Sequence, residues 1–166
     1  GVGLARKIGC DIALHLHHEG IIKSDWLFTT DADAILPAGY FYATSSAEAC
    51  ARLYPFSHTL APPLALAVKL YEIYLLYYAA ALANAGSPYA FPTIGSTISC
   101  RAESYAAVRG FPRRPTGEDF YLLNKLSKLG PVVMVDSDPI ILEGRASTRV
   151  PVGTGQTVMT ISEMDN

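Results

Sequence analysis

Charge is scarce in this sequence. Thirteen basic and fifteen acidic side chains among 166 residues are dispersed along the chain and sum to −2. No basic stripe of the kind that neutralises a phosphate backbone is present, so nucleic acid is not an expected partner. Cysteine is scarce too: Cys10, Cys50 and Cys100 form no Cys-x-x-Cys pair and are odd in number. That argues against a disulfide framework and a zinc knuckle alike, and a reducing compartment is expected. The N-terminus carries no charged leader followed by a continuous apolar stretch, which makes cytoplasmic the expected location. The chain opens on glycine inside a helical pattern, so a fragment is expected. What the sequence does have is apolar surface, half of its residues, enough for one domain with a sizeable core.

Leu4, Ile8, Ile12 and Leu16 line one helical face and predict a helix over 4–18, closed by Gly20. Trp26 to Thr30 is a β-prone run entering an acidic loop, with Pro37 and Gly39 beyond it. A second helix is expected over about 38–53, ending before Pro55. The apolar segment 62–85, stopped by Gly86, Ser87 and Pro88, predicts the longest helix. Its length of about 20 residues suits a membrane span, but Lys69 and Glu72 lie near its middle, where a charge costs a few kcal/mol. Core packing is therefore favoured, with Tyr71, Tyr74 and Tyr78 sharing a face that also suits a peripheral membrane contact.

Residues 93–99 read as a strand and 102–108 as a short helix ending at Gly110-Phe111-Pro112. Residues 118–129 read as a helix with Leu122, Leu126 and Leu129 on one face, and 132–135 as another strand. From Gly144 the chain reads as a loop or flexible arm over 144–166, leaving 1–143 as the domain. Strands alternating with helices define an α/β layered domain.

Two acidic sites stand out. Asp31 and Asp33 put two hard oxygen ligands on one side of a loop after a strand, where Mg²⁺ or Mn²⁺ can be held with coordination sites left for a diphosphate. Position favours them, because ligands in open α/β sheets bind beyond the carboxyl ends of strands. The same spacing recurs at Asp136-Ser137-Asp138, which reads as a polar turn before an extended run. Glu118 and Asp119 open the leucine helix, and Asp119 points toward the face that carries Leu122 and Leu123. Burial there raises a carboxyl pKa and a helix N-terminus lowers it, the balance that a general base needs. Thr116, three residues before Asp119, also has the spacing of a capping box.

With both sites placed, the chain resembles, over roughly residues 4–155, the large family-two glycosyltransferases of the GT-A fold. Leu4-Ala5-Arg6-Lys7-Ile8-Gly9 is similar to their Arg-containing helix, and Leu27 to Pro37 to their D-x-D strand. The most specific likeness is Gly110-Phe111-Pro112 followed by Gly117-Glu118-Asp119, Leu122, Lys125 and Gly130, with Lys125 where that family has Arg. The resemblance implies a partial GT-A fold with a mixed sheet and an inverting transfer of sugar from a nucleoside-diphosphate sugar to an acceptor hydroxyl. It implies Asp33 as metal ligand, Asp31 as metal or donor contact and Asp119, with Glu118, as the catalytic pair. Gly95 and Ser96 fall where similar enzymes shape the acceptor site. Arg145 and Arg149 can clamp diphosphate oxygens from the tail.

The hundred or so residues of nucleotide-binding sequence that precede the Arg-containing helix in that family are missing here, and no histidine follows Asp119 to serve as a further metal ligand. A rival expectation is therefore a truncated, non-catalytic transferase domain that pairs a bare sheet edge into a homodimer. An aspartyl-phosphate hydrolase also uses a strand followed by D-x-D. Ile35 does not fit that motif, and no later G-D-x-x-x-D cluster is present. His15 and His18 share a helical face and read as ordinary surface residues.

Overall fold

The computed structural model describes residues 1–60, 62, 64–114, 116–144 and 160–161. Its elements run α1 (Val2–His18), β1 (Trp26–Thr29), β2 (Ala51–Leu53), β3 (Phe56–His58), α2 (Ala65–Asn84), β4 (Ile98–Arg101), α3 (Ala102–Ala107), α4 (Glu118–Leu126), β5 (Val132–Met134) and β6 (Ile140–Leu142). Four strands form a mixed sheet in the order β1-β4-β2-β5, antiparallel except for the parallel β2–β5 pair. A parallel two-stranded ladder, β3–β6, stands apart from it. The chain is thus a mixed α/β protein, as the sequence leads one to expect.

The helix expected over 38–53 does not form. A single 3₁₀ turn at Tyr40–Tyr42 is followed by β2, whose three residues are all buried. Ala51 and Leu53 sit in the main core, and Arg52 lays its guanidinium 3.5 Å over the Trp26 ring. Two-sided burial favours a strand whatever the helix propensity of Ala and Leu. β3 was not expected either; it pairs in parallel with β6 and ends on the buried His58. The strand expected at 93–99 begins later, at Ile98, because Gly95–Thr97 wind into a 3₁₀ turn. In α4 the last helical residue is Leu126, so Leu129 lies beyond the helix and is exposed.

α1 forms where its periodicity places it, with its apolar stripe facing outward. Leu4, Ile8 and Ile12 are each at least half exposed, and the helix meets the core through Cys10, Ala13 and Leu14. The three cysteines are free and buried, and burial pushes the Cys10 thiol up to about 11. Such thiols are inert packing groups.

The Gly-Phe-Pro to Gly130 segment fixes α4 to the core. Phe111, Leu122, Leu123 and Leu126 are buried together. Gly110 adopts a positive φ of 66° close against the Tyr105 ring. Lys125 Nζ donates to the carbonyls of Val108 at 2.7 Å and Gly110 at 2.6 Å. Burial, with the neighbouring Lys7, holds that ammonium below its usual pKa. A Cβ on Gly130 would lie 2.7 Å from Cys50 Sγ, so only glycine lets the chain leave α4 there without a shift.

α2 is the one helix among the described residues long and apolar enough to cross a membrane, and only 28% of its most apolar 18-residue window is buried. Its two charges are satisfied locally. Glu72 turns inward, accepts the His58 backbone N–H at 2.6 Å and lies 2.9 Å from Lys69 Nζ. Burial works to raise the Glu72 pKa, but Lys69 and the two His58 contacts outweigh it and hold the carboxyl below its ordinary range. Of the expected arm, Gly144 is buried and Ile161 packs against the cluster of Ala67, Val68 and Tyr71. Arg145 and Arg149 lie outside the described residues.

Candidate active site

Three segments distant in sequence meet at one arginine. Arg6, on the inner side of α1, donates from Nη1 to Glu118 Oε1 at 2.6 Å and from Nη2 to Asp31 Oδ1 at 2.7 Å. The guanidinium fork therefore joins the acidic loop after β1 to the first turn of α4. The Glu118 side chain is 5% exposed, that of Arg6 12%, while that of Asp31 is 46% exposed. One end of the bridge is buried and the other opens to solvent.

Gly95 makes the bridge geometrically feasible. A Cβ there would lie 2.6 Å from Arg6 Cζ and still closer to Nη1, so a side chain at 95 would occupy the volume of the guanidinium. The turn that carries Gly95 is tied to the end of β1 by Thr29, whose hydroxyl donates to the Gly95 and Ile98 carbonyls, at 2.8 and 3.0 Å. Gly95 and Ser96 are both buried and neither lines the cleft described below. The contribution of Gly95 is room for Arg6. At position 3 a Cβ would come within 3.0 Å of the Glu118 side chain, which shows how closely α1 sits on the start of α4.

The acidic loop is a turn closed by the Ala34 N–H to the Asp31 carbonyl, 3.2 Å, after which Ile35 pairs with Ile141. Asp31 and Asp33 are both solvent-facing. No three His, Cys, Asp or Glu side chains gather among the described residues. The loop carries the carboxylates of Asp31 and Asp33, and Asp31 also pairs with Arg6. That donor set suits Mg²⁺ or Mn²⁺, which take one or two carboxylates and complete their shell with phosphate oxygens and water.

The capping box does not form. Gly117, with φ 69°, occupies the N-cap position of α4, and no side chain caps the helix. Asp119 instead accepts the Phe120 backbone N–H at 2.8 Å and stands half-buried on the wall of a cleft. Burial raises its pKa above the ordinary range and the adjacent Glu118 charge adds to the rise, while the Phe120 N–H and Arg6 oppose it.

That cleft, of about 760 Å³, runs between α2, the 87–93 segment and the start of α4. Tyr71, Tyr74, Tyr78, Tyr89, Phe91 and Phe120 supply much of its wall, with Glu118 and Asp119 at one side. Sequence periodicity groups the α2 tyrosines on one face, but nothing in it connects that face to Asp119. Arg6 falls in the segment similar to the Arg-containing helix, but no spacing relates it to the residues 25 and 112 positions away that it holds. No protein-family model matches the chain, and no curated protein matches it.

Proposed function

We propose that this chain carries the metal and catalytic part of an inverting glycosyltransferase that moves a sugar from a nucleoside-diphosphate sugar to an acceptor hydroxyl, on a partial GT-A fold. The observation that carries the reading is the Arg6 bridge, which sets the Asp31–Asp33 loop beside the Glu118–Asp119 pair. Glycosyl transfer needs these two parts side by side: a site for the leaving diphosphate, and a carboxylate near the acceptor.

Asp33, with Asp31, would hold the divalent cation, which when bound supplies Lewis-acid stabilisation of the departing diphosphate. Arg6 holds Asp31 in place and neutralises the buried Glu118. Asp119 takes the proton from the acceptor hydroxyl. The acceptor oxygen forms its bond to the anomeric carbon as the bond from that carbon to the diphosphate oxygen breaks. The electron pair leaves with the nucleoside diphosphate. Attack opposite the leaving group inverts the anomeric centre.

Calorimetric titration with nucleoside-diphosphate sugars and Mn²⁺ tests the assignment. Asp33→Ala abolishes metal-dependent binding; Asp119→Asn retains it and loses transfer. Wild-type transfer by the Asp119→Asn chain would remove the proposed base.

A second reading, a domain that folds but needs another surface to complete its donor site, is favoured by the outward apolar stripe of Leu4, Ile8 and Ile12 on α1. Such a stripe seeks a cover, and self-association into a homodimer is one. Sedimentation showing a strict monomer at high concentration removes the dimer. The outward residues Leu66, Leu70, Ile73 and Tyr77 of α2 recur at helical spacing and support a peripheral membrane contact, tested by co-sedimentation with vesicles.

A further inference from the structure

The cleft beside Asp119 has a chemistry of its own. Its wall combines aromatic rings with hydroxyls, and among the described residues that line it there is no lysine, arginine or histidine. Among the described lining residues the charged side chains are Glu118, paired with Arg6, and Asp119, so a phosphate-bearing ligand would meet no cation in this wall and would be repelled by Asp119. Lipid phosphates and nucleotides are therefore poor occupants of this cleft. A plain aliphatic chain is also a poor match, because the tyrosines, Ser87, Thr93 and Asn124 bring polar groups into the wall that a hydrocarbon would leave without partners.

Tyr74 and Tyr78 lie one helical turn apart on α2, more than half exposed, with ring planes 23° apart and centroids 6.3 Å apart. Stacked and nearly parallel, they put two aligned aromatic rings in the cleft wall rather than the converging walls of a box. An aromatic cage for a quaternary ammonium needs ring faces turned toward one point, which this pair does not provide. Of the two carboxylates, Glu118 is already committed to Arg6. A flat ligand with C–H bonds on one face and hydroxyls at its edge matches both parts of the cleft, since apolar walls with a few placed polar groups fix orientation in such sites.

We infer that this cleft binds a neutral saccharide, with a sugar ring laid on Tyr74 and Tyr78 and its hydroxyls directed toward Asp119. The inference rests on the transferase reading for its biological sense, because the bound sugar is then the acceptor. The volume, within the range of about 300–1,000 Å³ typical of small-molecule pockets, has room for more than a single ring.

The test uses the 166-residue chain without donor or metal, and the trisaccharides of glucose and of N-acetylglucosamine as probes, followed by saturation-transfer NMR. Choline and decyl phosphate are titrated in parallel. A trisaccharide binds saturably; Tyr74→Ala and Tyr78→Ala each weaken it by about tenfold or more, and Tyr78→Phe stays within about twofold. Both tyrosines are exposed, and circular dichroism of the variants verifies that the fold is kept. The inference is overturned if no trisaccharide binds, if binding ignores both alanine variants, or if choline or decyl phosphate takes the site in preference. A chain that binds trisaccharide but no nucleoside-diphosphate sugar with Mn²⁺ loses the transferase reading and keeps this one. A chain that binds the donor and no trisaccharide loses only this one.

Discussion

Asp31-Ala32-Asp33 and Asp136-Ser137-Asp138 share one spacing, and each follows a strand of the same sheet, β1 for the first and β5 for the second. Their surroundings differ. Asp31 is held at 2.7 Å by an arginine that also grips the first turn of α4, beside a half-buried carboxyl with a raised pKa. Asp136 and Asp138 are exposed in the turn between β5 and β6, where the Ser137 hydroxyl donates to the Asp138 carbonyl at 3.1 Å. Two carboxylates in a turn are ordinary; a half-buried guanidinium fork behind one of them is not. The difference lies in long-range packing, which a local motif does not encode.

The contrast can be broken or sharpened at several points. The largest effect is expected at Asp119: replacement by Asn lowers the transfer rate by about 10²–10⁴-fold, the range for loss of a general base, with donor binding intact. In the wild type the rate climbs with pH through the raised Asp119 value, so its acid limb lies above the ordinary aspartate range, and a pH profile of kcat locates it. The stability linkage runs the opposite way. Because the folded pKa is higher than the unfolded one, the folded state favours the protonated form. This contribution is complete below the unfolded pKa and is lost as pH rises through the folded value.

Next comes Arg6→Ala, which leaves Glu118 buried without its cation and lowers stability by about 3–5 kcal/mol in chemical denaturation. Arg6→Lys keeps the charge without the fork and restores only part of it. Gly95→Ala acts on the same bridge by filling the space of the guanidinium, at a cost of about 1–3 kcal/mol and with weakened donor binding. The smallest effect is expected at the second turn, where Asp136→Ala with Asp138→Ala changes stability by no more than about 0.5 kcal/mol. A larger loss would mean that the second turn is more than a polar surface feature.

The elements whose sequence carries a clear local signal were legible: α1, α4, the long helix and the strands ending at Thr29 and beginning at Val132. The region 38–53 was misread, because Ala, Leu and Glu suit a helix locally whereas burial on both faces makes 51–53 a central strand. The stripe of Leu4, Ile8 and Ile12 was found correctly as a helical face, but periodicity says which residues share a face and not where it points. Cys10, Ala13 and Leu14 cover the core instead. At the candidate site, Asp31, Asp33, Glu118 and Asp119 could be singled out because carboxylates in loops and at helix starts are locally conspicuous. The resemblance drew in the segment of Arg6 and the position of Gly95, but the bridge from Arg6 to Asp31 and Glu118, the room that Gly95 leaves for it and the placing of the cleft tyrosines beside Asp119 could not be read, since each rests on contacts across the fold.

On the proposed function, the two Asp-x-Asp turns, alike in sequence, differ in role because only the first is joined to the carboxylate pair. The most direct measurement is calorimetric titration of a nucleoside-diphosphate sugar with Mn²⁺ into the wild type, the Asp33→Ala chain and the Asp136→Ala/Asp138→Ala chain. The account predicts metal-dependent binding by the first and third, with equal affinity, and none by the second. Binding that survives Asp33→Ala, or that vanishes in the double variant, would contradict it.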